Sequence, residues 1–464
     1  MNEYYSLFMK IKRLKYKDHP ILGNLELDFT TDGDRPYDSV ILAGNNGCGK
    51  TTILDTISTF LNRGAFEYFD YIEYMTTPMF DYTAVPREPL LNPDFFDIIK
   101  PDGGRIHIDS GRSLRNSRLD HDPINIRSKG CANSKARAEY NTEKISSVKV
   151  SSLDSDNVSM DSTDNFTSLK QLMVDLASQD AAAYMKENRH RSDMELSPLS
   201  YNDFAATSLL SRFSNAFNHF FDRIQFDRVE SIDGEHSIIF KKGEQEIPID
   251  SLSTGEKQIV FRGAHLLKNN RMMTGGFVFV DEPEISMHPK WQNKILDYYQ
   301  GLFTVNGTMN NQMFFATHSE KVISKALDDR NKNLVIVLND ENGEIIPHKI
   351  TTPSVLPTVT SAETNYLAFG IPSIDYHIEL FGWLQEKNEL ASVKRADDFI
   401  LSSPHYNPAI HHKEYVFARS GGHTTTYETL PAYIRNCIDH PDASHSYTDE
   451  EFETSIKLLI ELLK

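Results

Sequence analysis

The chain has 464 residues, a formal net charge of −18 and a hydrophobic share of 39%. This length exceeds what one hydrophobic core normally fills, so we expect one large domain and a smaller one. The acidic balance argues against a chain coated in nucleic acid, although a local basic patch is compatible with it. No run of about 18 or more apolar residues occurs, which excludes a membrane-spanning helix.

The cysteines and histidines give no metal-binding or disulfide pattern. The spacing of Cys48, Cys131 and Cys437 is typical neither of metal ligands nor of a disulfide framework. The N-terminus lacks the apolar core of a signal peptide. We therefore expect a cytoplasmic protein. The adjacent His411 and His412 have no Cys or acidic residue at metal-ligand spacing, so we expect both to be surface residues.

The first predicted elements in chain order are strands followed by a helix. The stretches LFMKIKRLKY and LGNLELDF alternate apolar and polar residues, as half-buried strands do. DSVILAG is a continuous apolar run, typical of a strand buried on both faces, and TTILDTISTFL has helical periodicity. Residues 101–166 are rich in Ser, Asn, Asp and Arg without apolar periodicity, so we expect a disordered or flexible insertion there.

Residues 167–230 predict a helical subdomain, with helical periodicity in SLKQLMVDLASQDAAAYMKENRH and in DFAATSLLSRFSNAFNHFFDRI. HSIIFKKGEQEIPI then predicts a hairpin that turns at Lys242 and Gly243. Strand and helix patterns alternate in GGFVFVDEPE, KWQNKILDYYQGLF, NQMFFATHS and NLVIVLND. This order predicts an α/β head over 1–351, with a mixed, largely parallel sheet and covering helices, and a mainly helical C-terminal domain over 352–464.

A phosphate-binding loop is predicted at 44–51. The sequence GNNGCGKT fits G-x-x-x-x-G-K-[ST] between a predicted strand and a predicted helix, and its glycines let backbone N–H groups converge on a phosphate. Lys50 should reach the β- and γ-phosphates of ATP, and the Thr51 hydroxyl should ligate Mg²⁺. A chance glycine-rich turn is the alternative, which the later motifs disfavour. The candidate ATP-binding residues here are Gly44, Asn45, Asn46, Gly47, Cys48, Gly49, Lys50, Thr51 and Thr52.

Two further motifs supply catalytic candidates for ATP hydrolysis. FVFVDEPE is an apolar strand that ends in Asp281, a second Mg²⁺ ligand, and Glu282, which would orient or deprotonate the attacking water. FFATHSE places His318 at the end of another apolar strand, within reach of the γ-phosphate. A single histidine at a strand end is usually structural, but its order after the carboxylate pair favours function. The predicted catalytic residues are therefore Lys50, Glu282 and His318.

LSTGEKQ, residues 252–258, resembles the signature sequence of ABC-type ATPases with heads of the SMC kind. The resemblance implies that Ser253, Gly255 and Glu256, at a helix N-terminus, contact ATP held by the opposite subunit. A homodimer or higher homo-oligomer with sandwiched ATP follows. DEPEISMHP is similar to a stretch of ABC ATPases that act on or near nucleic acid, which implies a nucleic-acid partner. That family carries a loop glutamine, and no glutamine occurs here from Thr52 to Gln171, so its role falls to Gln171 or to another residue type.

The predicted C-terminal domain, here called the tail, makes the resemblance to one group of ABC-type ATPases more specific. ETNYLAFGIPSIDYHIELFGWLQE and LPAYIRNCIDHP resemble the ATPases of bacterial anti-phage systems, of the PtuA type found in Septu and retron-associated systems. This implies an ATPase that senses infection and controls a separate HNH nuclease encoded nearby, with a retron reverse transcriptase and its DNA as further partners. The absence of sustained heptads disfavours chromosome-condensing ATPases. A recombination-mediator type of DNA-maintenance ATPase is the alternative.

RNCIDHP resembles the motif of HEPN ribonucleases, at Arg435, Asn436 and His440. The resemblance implies proton transfer by His440 and charge stabilisation by Arg435, in a site shared across a dimer. The tail would then be the ribonuclease effector rather than a docking domain for a partner. The competing interpretation is an ordinary helix end stopped by Pro441, because five residues on an ideal helix separate two side chains by about 140°.

Overall fold

The computed structural model describes residues 9–63, 66–76, 80–88, 92, 95–108, 158–232, 235–268, 276–284, 287–309, 311–418 and 424–464. The fold divides into two compact units, Met1–Lys349 and Ile350–Lys464. The sequence predicts its domain boundary between 351 and 352.

Strands and helices are numbered in chain order. The strands are β1 (Met9–Tyr16), β2 (Glu26–Asp28), β3 (Ser39–Gly44), β4 (Phe69–Thr76), β5 (Phe80–Pro86), β6 (Phe96–Ile99), β7 (Arg105–Ile108), β8 (Ile224–Ile232), β9 (Glu235–Lys242), β10 (Gln245–Pro248), β11 (Phe277–Asp281), β12 (Thr304–Val305), β13 (Thr308–Met309), β14 (Gln312–Thr317), β15 (Asn333–Glu341), β16 (Glu344–Lys349), β17 (His412–Ala418) and β18 (Thr424–Thr429). The helices are α1 (Lys50–Arg63), α2 (Val158–Asp193), α3 (Tyr201–Ala205), α4 (Leu209–Phe220), α5 (Thr254–Lys268), α6 (Pro289–Phe303), α7 (Glu320–Leu327), α8 (Ser361–Phe369), α9 (Ile374–Lys387), α10 (Val393–Ser402), α11 (Pro408–His411), α12 (Leu430–Asp439) and α13 (Asp449–Leu463).

A six-stranded antiparallel sheet forms one layer of the first unit, in the order β2-β1-β4-β5-β6-β7. Its last strand, Arg105–Ile108, pairs with β6 and lies inside the segment 101–166 that the sequence predicts to be a flexible insertion. Helix α2 begins at Val158, also inside that segment. The predicted insertion is therefore too long at both ends, and residues 109–157 lie outside the described residues.

A second sheet has the order β11-β14-β3-β15-β16. Its first four strands are parallel, whereas β16 returns antiparallel to β15, so the predicted α/β class with a mixed, largely parallel sheet is confirmed. Every residue of the central strand β3 is buried, as its continuous apolar run predicts. Because the carboxyl ends of parallel strands meet at one edge, the residues that follow β3, β11 and β14 lie close together.

One glutamine joins the two sheets. Gln312, at the start of β14, is fully buried. Its Oε1 accepts a hydrogen bond from the backbone N–H of Ile11 at 2.7 Å, and its Nε2 donates to the Ile11 carbonyl at 2.9 Å and to the Tyr37 carbonyl at 3.2 Å. The side-chain amide thus acts as an extra peptide group that connects β14 to β1, where the packed apolar faces of both sheets form one core.

The helical subdomain predicted over 167–230 differs from the structure in two respects. Its second helix is broken into α3 and α4, because Ser208 caps α4 and the Asp180 carboxylate accepts hydrogen bonds from the backbone N–H groups of Leu209 and Leu210, both at 2.9 Å. The subdomain also ends early, since strand β8 starts at Ile224. The predicted hairpin follows as β9 and β10, and Gly243 in its turn has a φ of 63°.

The second unit is mainly helical, as predicted, and α8 to α13 enclose a separate apolar core beside the hairpin of β17 and β18. The expectation that His411 lies on the surface is wrong. Its side chain is buried, and its Nδ1 accepts a hydrogen bond from the backbone N–H of Asn407 at 2.9 Å, which supplies the polar partner that a buried imidazole needs. No helix in the described part of the chain has both the length and the apolar character needed to cross a membrane.

Candidate nucleotide-binding site

The predicted phosphate loop lies between β3 and α1. Gly44 ends β3 with a φ of 143°, and a Cβ atom there would stand 2.3 Å from the Leu338 carbonyl oxygen of β15, so no other residue fits. Gly47 and Gly49 also have positive φ values, of 89° and 75°. The exposed loop then enters α1 at Lys50, which leaves the N–H groups of the first helical turn facing the loop. This is the geometry in which backbone donors bind a phosphate.

The ammonium group of Lys50 lies inside this loop. Its Nζ donates hydrogen bonds to the carbonyls of Gly44 at 2.9 Å and Asn45 at 2.8 Å, and its side chain is buried. Burial lowers the pKa of Lys50, while the nearby carboxylates of Asp281 and Glu282 act in the opposite direction. The structure therefore presents one buried positive charge between the loop carbonyls and an acidic edge.

Thr51 and Asp281 form the predicted pair of Mg²⁺ ligands. The Thr51 hydroxyl donates a hydrogen bond of 2.9 Å to Asp281 Oδ2. This contact arises because Asp281 is the last residue of β11, two strands away from β3 in the parallel sheet. A hydroxyl and a carboxylate side by side are hard oxygen donors of the kind that Mg²⁺ prefers, so the two residues fit the ion. When bound, Mg²⁺ would neutralise charge on the phosphate oxygens.

Glu282 and His318 face each other at the same edge. His318 Nε2 lies 3.9 Å from Glu282 Oε1, and the side chains keep 31% and 43% exposure, so water reaches both. Glu282 has a φ of 47°, in the left-handed region that is unfavourable for a non-glycine residue, and its N–H donates to the Ala316 carbonyl at 2.8 Å. Burial lowers the pKa of His318, and the positive charge of Lys50 lowers it further, which favours the neutral ring at pH 7.

Glu284 belongs to the same edge, although the sequence reasoning did not select it. Its Oε1 accepts hydrogen bonds from the backbone N–H of His318 at 2.7 Å and from the Thr317 hydroxyl at 2.8 Å. Burial raises the pKa of this carboxyl. The sequence signal that could have indicated Glu284 is its position as the third carboxylate of DEPE, two residues after Glu282.

The predicted signature residues form the exposed N-terminus of α5. The backbone N–H of Ser253 donates to Glu256 Oε2 at 2.7 Å, and the Glu256 N–H lies 3.4 Å from Ser253 Oγ, as in a capping box. A Cβ atom on Gly255 would stand 2.9 Å from Trp291 Cζ3, which explains the glycine. In the described residues, the hydrogen bonds of Ser253 and Glu256 thus stay within this helical turn rather than reaching the phosphate loop of the same chain.

Among the described residues, Gln171 makes no hydrogen bond to the phosphate loop either. Its Nε2 donates to Asp175 Oδ1 at 2.7 Å on the same helix, α2, and its side chain is exposed. A different glutamine lies beside the site: Gln292 accepts a hydrogen bond of 2.8 Å from Ser319 Oγ, next to His318. That Gln171 or another residue type takes the role of the loop glutamine stays a prediction.

The three candidate ribonuclease residues of the second unit have separate surroundings. Arg435 pairs with Asp439, one turn along α12. The Asn436 side chain is buried and donates to the Ala432 carbonyl at 2.8 Å. His440 follows the last residue of α12 and caps that helix through its backbone N–H. The centroid of its ring lies 5.1 Å from that of a phenylalanine ring of β17. Each residue therefore has a local partner, and no hydrogen bond joins the three to one another in the part of the chain that the structure describes.

These features define the class of the domain. A parallel sheet carries a glycine-rich phosphate loop after one strand, the carboxylates Asp281 and Glu282 at the end of a second, and His318 after a third, which is the arrangement of an ATPase domain. Residues 39–324 match the family described as "AAA domain, putative AbiEii toxin, Type IV TA system". The match spans more than half of the chain and includes Lys50, Asp281, Glu282 and His318. The chain belongs to this family, and its first unit carries an ATPase domain of the AAA and ABC-like type.

The solved structures that resemble the chain include heads of Smc proteins. One is the Smc head domain with an extended coiled coil bound to the C-terminal domain of ScpA, derived from Pyrococcus furiosus, with 15% identity, 74% of this chain and 97% of that chain covered, and a TM-score of 0.35. Another is the SMC head domain from Thermotoga maritima, with 14% identity, 74% and 100% coverage, and a TM-score of 0.38. No curated protein matches the chain.

Proposed function

We propose that this chain is an ABC-type ATPase of a bacterial anti-phage defence system, in which ATP-dependent association of two or more copies controls a nuclease encoded nearby. The observation that carries the proposal is the edge of the parallel sheet where Thr51 contacts Asp281 at 2.9 Å and Glu282 faces His318 at 3.9 Å. Each of these four side chains has a distinct task in phosphate hydrolysis.

The arrangement supports hydrolysis of ATP with Mg²⁺. Lys50 and the N-terminus of α1 supply positive charge for the phosphates, while Thr51 and Asp281 supply oxygen ligands for the ion. Glu282 and His318 keep partial exposure, so a water molecule can enter between them. Glu282 would accept a proton from that water, and His318 would donate a hydrogen bond to the terminal phosphate.

The exposed start of α5 supports association of copies. Ser253 and Thr254 are exposed at a helix N-terminus, where backbone donors and the helix dipole favour a negative group. In the described residues, the hydrogen bonds of Ser253 go to its own helical turn and not to the phosphate loop. In this proposal, the terminal phosphate that Ser253 and Thr254 contact therefore belongs to ATP held by a second copy. A homodimer or higher homo-oligomer with ATP at the interface follows from this proposal.

The role in defence rests on the family description, which names a toxin of a toxin–antitoxin system, and on the tail. Within the tail, the Asn436 side chain is buried and Arg435 is neutralised by Asp439. These contacts favour a docking role over a ribonuclease site. We propose an HNH nuclease as the docked effector, with a retron reverse transcriptase and its DNA as further partners.

The test compares ATP turnover, assembly mass and phage protection in three proteins: the wild type, Lys50→Ala and Lys321→Ala. Lys321 is an exposed lysine at the start of α7 and serves as the matched control. We expect ATP-dependent association and protection in the wild type and in Lys321→Ala, and neither in Lys50→Ala. A wild type that binds no ATP, or protection that survives Lys50→Ala, would contradict the proposal.

A further inference from the structure

Glu284 has an unusual environment for a carboxylate next to a catalytic edge. Its Oε1 accepts two hydrogen bonds, from the His318 backbone N–H at 2.7 Å and the Thr317 hydroxyl at 2.8 Å. Its Oε2 is buried and makes no hydrogen bond within the described residues. Burial of a carboxylate oxygen without a hydrogen-bond partner is costly, which favours a specific role for this side chain.

The segment that carries Glu284 is anchored on both sides. The Glu282 N–H donates to the Ala316 carbonyl at 2.8 Å. The Pro283 carbonyl accepts a hydrogen bond of 3.1 Å from the guanidinium of Arg262, which is fully buried on α5. Glu284 is therefore presented to His318 by a backbone that is itself fixed.

The hydrogen bond to His318 begins where the sheet ends. The ladder between β14 and β3 stops at Thr317, paired with Ala43, and the ladder between β14 and β11 stops at Ala316, paired with Asp281. The N–H of His318 thus lies beyond both ladders. The Glu284 carboxylate provides the acceptor that a neighbouring strand would otherwise provide.

We propose that Glu284 is a positioning residue, which fixes the backbone of His318 and so sets its imidazole against Glu282 and the phosphate loop. This inference rests on the proposed function, because His318 has a task only if ATP is hydrolysed at this edge. Glu284 touches neither reacting atoms nor phosphate and acts through His318.

The kinetic test uses the full chain with Glu284→Ala, Glu284→Gln and Glu284→Asp. Glu284→Ala removes the acceptor, and we expect kcat to fall about tenfold to a hundredfold because a small displacement of a catalytic group is costly. The KM for ATP should stay within about threefold, since the phosphate loop is unchanged. Glu284→Gln keeps an acceptor oxygen and should retain kcat within about threefold. Glu284→Asp withdraws that oxygen by one methylene and should lower kcat even if Glu284→Ala does not fold.

A double-mutant cycle separates positioning from a general loss of structure. If Glu284 acts through His318, then Glu284→Ala should lower kcat by less than about twofold in a His318→Ala background. The matched control is Glu363→Ala in the second unit. Glu363 is a buried carboxylate that, like Glu284, accepts backbone N–H groups, here those of Ser354, Val355 and Leu356. This control should lower thermal stability and leave kcat unchanged.

The histidine ring itself gives a readout that does not need turnover. In protein with ¹³C-labelled histidine, the His318 signal is the one lost in His318→Ala, and we expect it to shift in Glu284→Asp but not in Glu284→Gln or Glu363→Ala. The inference is overturned if the wild type turns over ATP and Glu284→Asp changes neither the ring signal nor kcat. The proposed function would remain in that case. The inference is also overturned if the losses of kcat in Glu284→Ala and His318→Ala are additive in the double mutant. A wild type without ATP turnover overturns the proposed function and the catalytic part of the inference, and the ring signal then tests only whether Glu284 positions the His318 ring.

Discussion

The hydrogen bond from the Thr51 hydroxyl to Asp281 Oδ2, 2.9 Å long, joins two residues that are 230 positions apart in the sequence. It connects the first turn of α1 to the end of β11 and brings both candidate ligands of Mg²⁺ to one point. The candidate catalytic edge therefore depends on the packing of the parallel sheet, and the following substitutions test its parts.

Glu282→Gln should abolish ATP turnover and leave ATP binding intact, because the amide keeps the shape of the side chain and loses its basicity. We expect kcat to fall by about a hundredfold or more, and ATP-bound assemblies to accumulate. The measurements are phosphate release and mass by light scattering. Glu320→Gln, an exposed carboxylate at the start of α7, is the control. Wild-type turnover in Glu282→Gln would remove Glu282 from the catalytic role.

Glu282→Gly should make the protein more stable and inactive. The left-handed backbone of Glu282 costs about 1–2 kcal/mol, and glycine relieves it at an entropic cost of about 0.5–1 kcal/mol. We therefore expect a net gain of about 0.5–1 kcal/mol in the free energy of unfolding. Glu195→Gly is the control, because Glu195 has a φ of 57° and is exposed. It should gain similar stability and keep full turnover, and a loss of stability in Glu282→Gly alone would contradict the strain.

Ser253→Arg should keep nucleotide binding and lose ATP-driven association. An arginine at the exposed start of α5 would obstruct the facing copy, whereas the phosphate loop of its own chain is untouched. Ser200→Arg, at the N-cap of α3, removes an equivalent serine cap and is the control. Both variants should lose about 1 kcal/mol of stability, but only Ser253→Arg should stay monomeric with ATP in light scattering. Unchanged hydrolysis and association in Ser253→Arg would argue against a shared ATP site.

Gln312→Leu should destabilise the chain by about 3 kcal/mol, because the N–H and carbonyl of Ile11 and the carbonyl of Tyr37 lose their buried partner. The free energy of unfolding in urea measures this. Gln171→Leu, at an exposed position of α2, should change it by less than about 0.5 kcal/mol. Equal effects of the two substitutions would show that Gln312 does not hold the sheets together.

The tail variants Arg435→Ala and His440→Ala should leave ATP turnover unchanged, and His440→Ala should still protect against phage if the tail docks a partner. Asp439→Ala is the control for Arg435→Ala, since it breaks the same ion pair while keeping the cation. The assay uses purified protein, ATP and total tRNA, with and without the neighbouring gene product. RNA cleavage that is lost in Arg435→Ala and His440→Ala, but kept in Asp439→Ala, would establish the ribonuclease alternative instead.

The parts of the fold that follow from neighbouring residues are those that the sequence predicts. The phosphate loop is one example, because its strand, glycines and helix start are contiguous in 39–63. The buried strand β11 that ends in Asp281 is another, since its apolar run is visible by itself. The mainly helical tail follows from periodicity in the same way.

Contacts between distant residues were not accessible from the sequence. The break between α3 and α4 depends on Asp180, which lies on α2 and caps α4 from outside the local pattern. The partnership of Glu284 with His318 likewise requires that β11 and β14 be neighbours. The strand β7 inside the predicted insertion forms because β6 offers a partner, although its four residues carry little signal of their own.

The central place of β3 has a consequence for how the protein is made. This strand leaves the ribosome early, yet its partners β14 and β15 follow at 312–317 and 333–341. Its apolar residues 40–43 must therefore wait for most of the first unit to be synthesised before the sheet can close. Gly44 packs against the Leu338 carbonyl, so the phosphate loop obtains its final shape only when β15 is in place. A nascent chain that has not reached β15 carries the whole GNNGCGKT motif without a finished pocket for the nucleotide, so nucleotide binding has to wait for the synthesis of β15.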